Sequence, residues 1–359
     1  MRVFYFCPMT DYILVGGGLA GMAFAQTAWQ NGKSVAIYDG LTAGASRIAS
    51  GLYNPVVLKR LNAVADASEY LQSMEAFYPK VDDRLQIRSY FPLPLLRRFA
   101  SVEEQNNWFE GCDQPRLQSY LSAEIVRDVH GIDGPFGFGK VLHTGWLDTK
   151  KLLDEFWQHI PAGSRYIKES FDHSLLNITK EQVTYKSTTA RHLVFAEGFT
   201  LSSNPYFNYL PLQGTKGELL HIKAPGLDME CAVKGGVFIL PMGDDKYKVG
   251  ATYAWDDKTE IPTDAARTEL IEKLDELIRV PYEIIDHKAG IRPTVKDRKP
   301  LLGTHSSFPR VHILNGLGTR GILLAPRLAQ LLYDWIEKEL PLPAQVDISR
   351  FSSDSVRTC

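Results

Sequence analysis

The residues of this chain whose types and spacing can do chemistry are first of all glycines. Gly16-Gly17-Gly18-Leu19-Ala20-Gly21 follows directly on the apolar run Tyr12-Ile13-Leu14-Val15, and an acid, Asp39, closes the next apolar run, Ser34-Val35-Ala36-Ile37-Tyr38. Gly16 permits a tight turn out of a strand. Gly18 lets the backbone approach a pyrophosphate, and Gly21 lets the following helix pack on the sheet. A helix N-terminus offers free N–H groups and the positive end of its dipole to phosphates. Asp39 is placed to accept both hydroxyls of an adenosine ribose, which favours a free 2′-hydroxyl over a 2′-phosphate. Strand, glycine turn, helix, strand and acid together specify a dinucleotide site far better than the glycines alone.

A second turn of the same spelling, Gly316-Leu317-Gly318-Thr319-Arg320-Gly321, comes late in the chain. No further βα unit and no acid-tipped strand follow it, so it is not read as a second nucleotide site. A helix starting there would aim its N–H groups at an electron-rich ring. Between the two turns, Thr42-Ala-Gly44-Ala45-Ser46-Arg47-Ile48-Ala49-Ser50-Gly51-Leu52 follows Asp39 closely and offers small residues and hydroxyls where a second phosphate would lie.

The elements that must position these residues follow from periodicity. The spacing predicts a helix over 19–31, stopped at Asn31-Gly32. A second amphipathic helix is expected over 322–335, with Pro326 tolerated in its first turn. Runs at 218–223, 236–241 and 247–253 read as strands, and Gly243-Asp244-Asp245 suggests antiparallel hairpins. A strand is expected at 310–314, and a polar helix over 264–279 would cover a sheet. The expected fold class is α/β: a Rossmann-like dinucleotide-binding domain with an inserted, mainly antiparallel β domain. The first would comprise residues 9–84, 141–204 and 286–345, and the second 85–140 and 205–285. Residues 1–8 and 346–359 are read as terminal extensions.

Composition narrows the partners. The 359 residues are 44% hydrophobic and 23% charged with a net charge of −2, so nothing pulls the chain globally toward nucleic acid or an anionic membrane. No apolar run approaches the length of a membrane span. Cys7, Cys112, Cys231 and Cys359 show no CxxC spacing, which argues against a zinc site or disulfide framework and suits a reducing cytoplasm.

Gly290-Ile291-Arg292-Pro293-Thr294 with the following Val-Lys-Asp-Arg-Lys-Pro-Leu-Leu-Gly303, taken with GGGLAG, GASRIASGLYNP and NGLGTRGILLAP, resembles the D-amino-acid-oxidase superfamily of FAD-dependent oxidoreductases. The resemblance runs from about Asp11 to Trp335, and within the superfamily it points to the glycine-oxidase and tRNA-modifying flavin-domain branches. It implies FAD, and a hydride passed from a substrate carbon to flavin N5 while the cofactor carries the hard step. By the same resemblance, Gly16, Gly18, Leu19, Ala20, Gly21 and Asp39 would hold the AMP half. Ser46, Arg47, Ser50, Gly51 and Leu52 would follow the second phosphate and ribityl chain, Phe171 would contact adenine through its backbone, and Ala196 and Gly198 would lie beside the cofactor. Gly318, Thr319, Arg320, Gly321 and Ile322 would face the ring. Arg292 is the implied carboxylate clamp, since a planar guanidinium binds a carboxylate bidentately. Arg320, Tyr253 and Phe238 complete the implied active site. Phe238 replaces a tyrosine of glycine oxidase and Tyr253 a methionine. Glu197 replaces a small residue beside the cofactor, for no reason visible in the sequence. The segment after Arg292 lacks the cysteine that attaches FAD in some relatives, so non-covalent FAD is expected.

The implied activity is oxidation of the C–N bond of a small amino acid or N-substituted glycine, the imine then hydrolysing. Two alternatives remain open from the sequence. One is oxidation of a carboxymethylaminomethyl group on a tRNA wobble uridine, with Lys59-Arg60, Arg97-Arg98 and Lys296–Lys299 as candidate contacts. The other is a non-catalytic FAD-binding redox or structural protein. No membrane partner is expected.

Overall fold

The structure, a computed structural model, describes residues 9–40 and 44–351. The expected extension at 1–8, and Cys7 and Cys359, lie outside the described residues. Contacts divide the chain into two compact units, Met1–Arg47 with Thr149–Gly214 and Arg292–Cys359, and Ile48–Asp148 with Thr215–Ile291. Packing thus groups residues 48–84 with the inserted segments, whereas the sequence reading kept them with the first.

The first unit is a largely parallel sheet. β1 (Thr10–Val15) runs parallel to β2 (Val35–Asp39) on one side and to the strand Thr188–Phe195 on the other. Arg165–Lys168 extends the sheet beyond β2, and Phe308–Asn315 pairs in parallel with Thr188–Phe195. β1 therefore lies where successive strands turn to opposite sides, the position at which open α/β sheets take ligands at their carboxyl ends. The pattern of apolar residues explains the burial. Ile13, Val15, Ala36, Leu193, Phe195 and Ile313 form one continuous core, as expected for strands covered on both faces.

α1 (Leu19–Gln30) packs against the helix Gly321–Lys338. α1 is buried on nearly every side, from Leu19 through Ala28. It ends at Gln30, one residue short of the expected end, and the N–H of the capping Asn31 returns to Ala28 O. The late helix begins at Gly321 after a 3₁₀ turn, Gly318–Arg320. Pro326 therefore lies in its second turn rather than its first, because the helix starts earlier than the amphipathic pattern shows.

The second unit is built on an eight-stranded sheet in the order Glu283–Arg292, Thr215–Lys223, Lys246–Gly250, Phe238–Gly243, Ala232–Lys234, Leu95–Arg98, Phe138–Val141, Leu121–Val126. From Thr215–Lys223 to Leu121–Val126 its neighbouring strands are antiparallel, apart from Ala232–Lys234 with Leu95–Arg98. The expected hairpin is present, with Asp244 and Asp245 both at positive φ in its turn. The polar helix spans Asp264–Asp275 and buries Leu270 and Leu274 on one face of the sheet. The helix Ala67–Leu85 went unread in the sequence. Its buried residues Tyr70, Leu71, Met74, Tyr78, Val81 and Leu85 follow helical spacing.

Candidate functional site

The first glycine turn is built by crowding. Gly16 adopts φ +106°, and a Cβ there would sit 2.4 Å from Ala196 O. A Cβ on Gly21 would lie 1.9 Å from Gly16 O. Neither position has room for a side chain, so α1 starts directly on the turn. Gly16 N–H donates to Tyr38 O at 2.8 Å, and Ala196 N–H to Val15 O at 2.7 Å. These bonds tie the ends of three parallel strands together. Met22 N–H donates to Gly18 O at 2.8 Å. Leu19 N–H turns instead to Ser46 Oγ at 3.1 Å. The N–H groups of Gly18, Ala20 and Gly21 meet no acceptor among the described residues.

Asp39 stands beside this turn. Gly17 N–H donates to Oδ1 at 2.9 Å and the Tyr166 hydroxyl to Oδ2 at 2.5 Å, while Arg47 Nη1 lies 3.8 Å from Oδ2. Burial, and then the bond to Asp39, push the Tyr166 hydroxyl up in pKa, so it remains a donor. Trp157 stacks on Tyr166 with ring centroids 4.9 Å apart, and its indole N–H donates to Gly17 O at 2.8 Å. Sequence reasoning missed both rings. Trp157 follows the helix Thr149–Phe156 and reads as a core residue from its neighbours alone.

This arrangement fits the diphosphate and ribose of FAD. Amides without acceptors at a helix N-terminus are the donors a diphosphate takes. A carboxylate has about four acceptor sites, so two protein donors leave capacity for ribose hydroxyls. Ser46 sits where its hydroxyl meets the same helix end, and Arg47 balances charge between Asp39 and Asp154, whose Oδ1 lies 3.3 Å from Arg47 Nε.

The end of Thr188–Phe195 joins the two turns. Asn315 Nδ2 donates to Gly198 O at 3.0 Å, and Gly316 N–H to Asn315 Oδ1 at 2.7 Å. Gly318 N–H donates to Pro293 O at 3.1 Å, which sets the second turn against the residue after Arg292. A Cβ on Gly321 would lie 3.5 Å from Leu19 Cδ1, so the two helix starts are neighbours. Ala196, Gly198, Arg292 and the second turn are thus drawn to the carboxyl end of one sheet. Arg292 and Arg320 are half-buried and Thr319 is exposed. Ile322 is buried, and Phe171 packs against Tyr38, Tyr185, His173 and Phe195.

Glu197 acquires a physical reason here. Its side chain is 7% exposed, 3.3 Å from His173 Nε2 at ion-pair distance but outside hydrogen-bond alignment, and it accepts from Asn204 Nδ2 at 2.7 Å. A buried carboxylate needs such partners; Asn204 comes from the far end of the same 3₁₀ turn, and His173 from an earlier segment.

Ser50, Gly51, Leu52, Phe238 and Tyr253 belong to the second unit. A Cβ on Gly51 would meet Leu147 O at 2.1 Å, and Leu147 N–H donates to Gly51 O at 2.9 Å. Leu52 pairs with Trp146. Phe238 is buried in the cluster of Leu95, Phe99, Trp108, Trp146 and Leu240. Tyr253, beyond the strand Lys246–Gly250, is 64% exposed. Among the described residues, no helix is long and apolar enough to cross a membrane.

Residues 11–335 match the protein family described as DAO, FAD dependent oxidoreductase. The chain is 22% identical over 395 residues to the tRNA 5-methylaminomethyl-2-thiouridine biosynthesis bifunctional protein of Haemophilus ducreyi, covering 94% of this chain and 57% of that protein. It thus spans little more than half the length of that relative. It is 23% identical over 353 residues to the glycine oxidase of Bacillus subtilis, covering 91% of this chain and 92% of that enzyme. The crystal structure of glycine oxidase from Geobacillus kaustophilus shares its fold with a TM-score of 0.76 at 20% identity, covering 96% of this chain and 98% of that one.

Proposed function

This chain belongs to the DAO family of FAD-dependent oxidoreductases, and we propose that it oxidises the C–N bond of a small amino acid or N-substituted glycine. The observation that carries the reading is the bond from Gly318 N–H to Pro293 O, which seats Arg292 beside the second glycine turn. When bound, FAD supplies the hydride acceptor. The residues do the rest. The open amides of Gly18, Ala20 and Gly21 take the diphosphate, and Asp39 takes the ribose. Arg292 holds the substrate carboxylate, so the carbon beside the nitrogen is oriented without a protein nucleophile. Arg320, at the start of the late helix, adds positive charge at the same end.

Anaerobic mixing with glycine, sarcosine and D-amino acids should bleach the flavin for at least one of them. Arg292→Ala should then raise the substrate's apparent dissociation constant by about 10–100-fold, the worth of a charge-assisted pair. No bleaching across a broad panel of amines would overturn the reading. Acid precipitation should leave the yellow colour in the supernatant, as non-covalent FAD requires.

A second reading is favoured by one observation. The relatives of matching sequence include tRNA-modifying bifunctional proteins, and a carboxymethylaminomethyl group on a wobble uridine is itself an N-substituted glycine. Binding of tRNA that weakens steeply with salt would support it. No binding at low salt would remove it.

A further inference from the structure

The second unit holds a buried cation for which the proposed reaction has no use. Lys248 lies in the strand Lys246–Gly250 and is 7% exposed. Its Nζ donates to Ala49 O and Ser50 O, each at 3.3 Å, and stands 5.9 Å from the Trp146 ring centroid. No carboxylate lies within 4 Å of it among the described residues. A buried ammonium without an anionic partner is costly and needs dipoles around it. Here those dipoles are two carbonyls of one loop.

That loop is the segment assigned above to the cofactor. Gly51 is pinned from another side by Leu147, so Ala49–Gly51 is held between Lys248 and the strand Gly145–Leu147. Lys248 also shares a sheet face with Phe238. Leu240 pairs with Lys248 and Phe238 with Gly250, and both apolar side chains enter the same cluster. Excess positive charge at such a place stabilises whichever partner state is more negative.

We propose that Lys248 is a positioning cation for the cofactor: it sets the Ala49–Ser50 backbone and favours the reduced over the oxidised state of bound FAD. The proposal rests on the reading that Ser50 and Gly51 lie against FAD. The groups that face the ammonium electrostatically are Asp148, which supports its charge, and Lys288, which opposes it. His221 stands opposite on the neighbouring strand, 3.7 Å from Asp286, and burial lowers its pKa to about 4. His221 is therefore neutral at physiological pH. Burial of Lys248 itself lowers its pKa to about 8, so its charge fades within an accessible range.

The test is the midpoint potential of the FAD-loaded protein measured from pH 6 to 9 in the wild type, Lys248→Met and Lys248→Arg. The wild type should show a break near pH 8 beyond the slope of the flavin itself. Lys248→Met should lose the break and lower the preference for reduced FAD about tenfold at pH 7, about 30 mV for a two-electron couple. Lys248→Arg, whose charge persists throughout, should keep the high potential without the break. A Lys248→Met protein with the wild-type potential and break would overturn the proposal. If that variant does not fold, a break near pH 8 in Lys248→Arg would overturn it equally. A wild-type protein that takes up no FAD would instead refute the cofactor reading, a separate outcome.

Discussion

The two glycine turns share one spelling and differ in what surrounds them. At Gly16–Gly21 the first and third glycines are crowded by backbone, with would-be Cβ contacts of 2.4 and 1.9 Å. An acid lies on Gly17, and the amides of Gly18, Ala20 and Gly21 meet no described acceptor. At Gly316–Gly321 the crowding falls on Gly316 alone, where a Cβ would lie 2.6 Å from Val295 Cγ2. Gly318 faces open space, and Gly321 has room for a methyl. No acid follows. The lesson is that the motif reports a tight turn before a helix. The neighbours decide whether the turn cradles a diphosphate or presents a helix end to something else.

The largest effect should come from adding one methyl to each third glycine. Gly21→Ala drives a Cβ into Gly16 O, so the turn must open, and FAD affinity should fall by two orders of magnitude or more. Gly321→Ala meets only ordinary contact, and its stability should stay within about 0.5 kcal/mol of the parent. Fluorescence titration of the apoprotein with FAD and thermal melts would separate the two. Equal losses would erase the contrast.

Removing the acid is the next test. Asp39→Ala deletes the ribose acceptor and leaves the Tyr166 hydroxyl and Gly17 N–H without their partner. FAD should bind about 10–100-fold more weakly, as expected for loss of charge-assisted hydrogen bonds. Unchanged affinity would mean that Asp39 serves only Tyr166 and Gly17.

A smaller difference concerns the strands feeding the turns. Phe308–Asn315, which leads to the second turn, carries His312. Its Nε2 lies 3.0 Å from Nδ1 of His192 on Thr188–Phe195, and its Nδ1 lies 2.8 Å from Thr304 Oγ1. Burial holds His312 well below the usual imidazole range and lowers His192 to about 4, helped by the nearby Arg310 charge. Both are neutral when folded and bind protons more readily when unfolded. Their contribution to stability is therefore complete above about pH 6.5 and is lost as pH falls toward about 4. Hydrogen exchange should show Phe308–Asn315 losing protection in that window before β1 does. Simultaneous loss would contradict it.

Much of the first turn was legible because each of its demands is local. Strand, glycines, helix and acid lie within thirty or so consecutive residues. The hairpin at Gly243-Asp244-Asp245 was legible for the same reason. Tyr166 and Trp157 were not, since nothing in their own neighbourhoods says that they wrap Asp39 and Gly17. Glu197 looked unexplained because His173, which faces it, comes from another segment, and because a 3₁₀ turn must fold before Asn204 can donate to it. Lys248 read as one more strand residue, and only burial under Ala49 and Ser50 sets it apart. The helix Ala67–Leu85 carries its apolar residues at helical spacing within its own sequence, so its signal is local too.

By itself the sequence determined a dinucleotide turn, the order of the main elements and the family, because these depend on short-range sterics and periodicity. Only the tertiary structure decided which glycines have no room for a methyl and which carboxylates are partnered. It also decided which lysine is buried without an anion. Those properties depend on atoms from distant segments meeting within a few ångströms, and no local pattern encodes such a meeting.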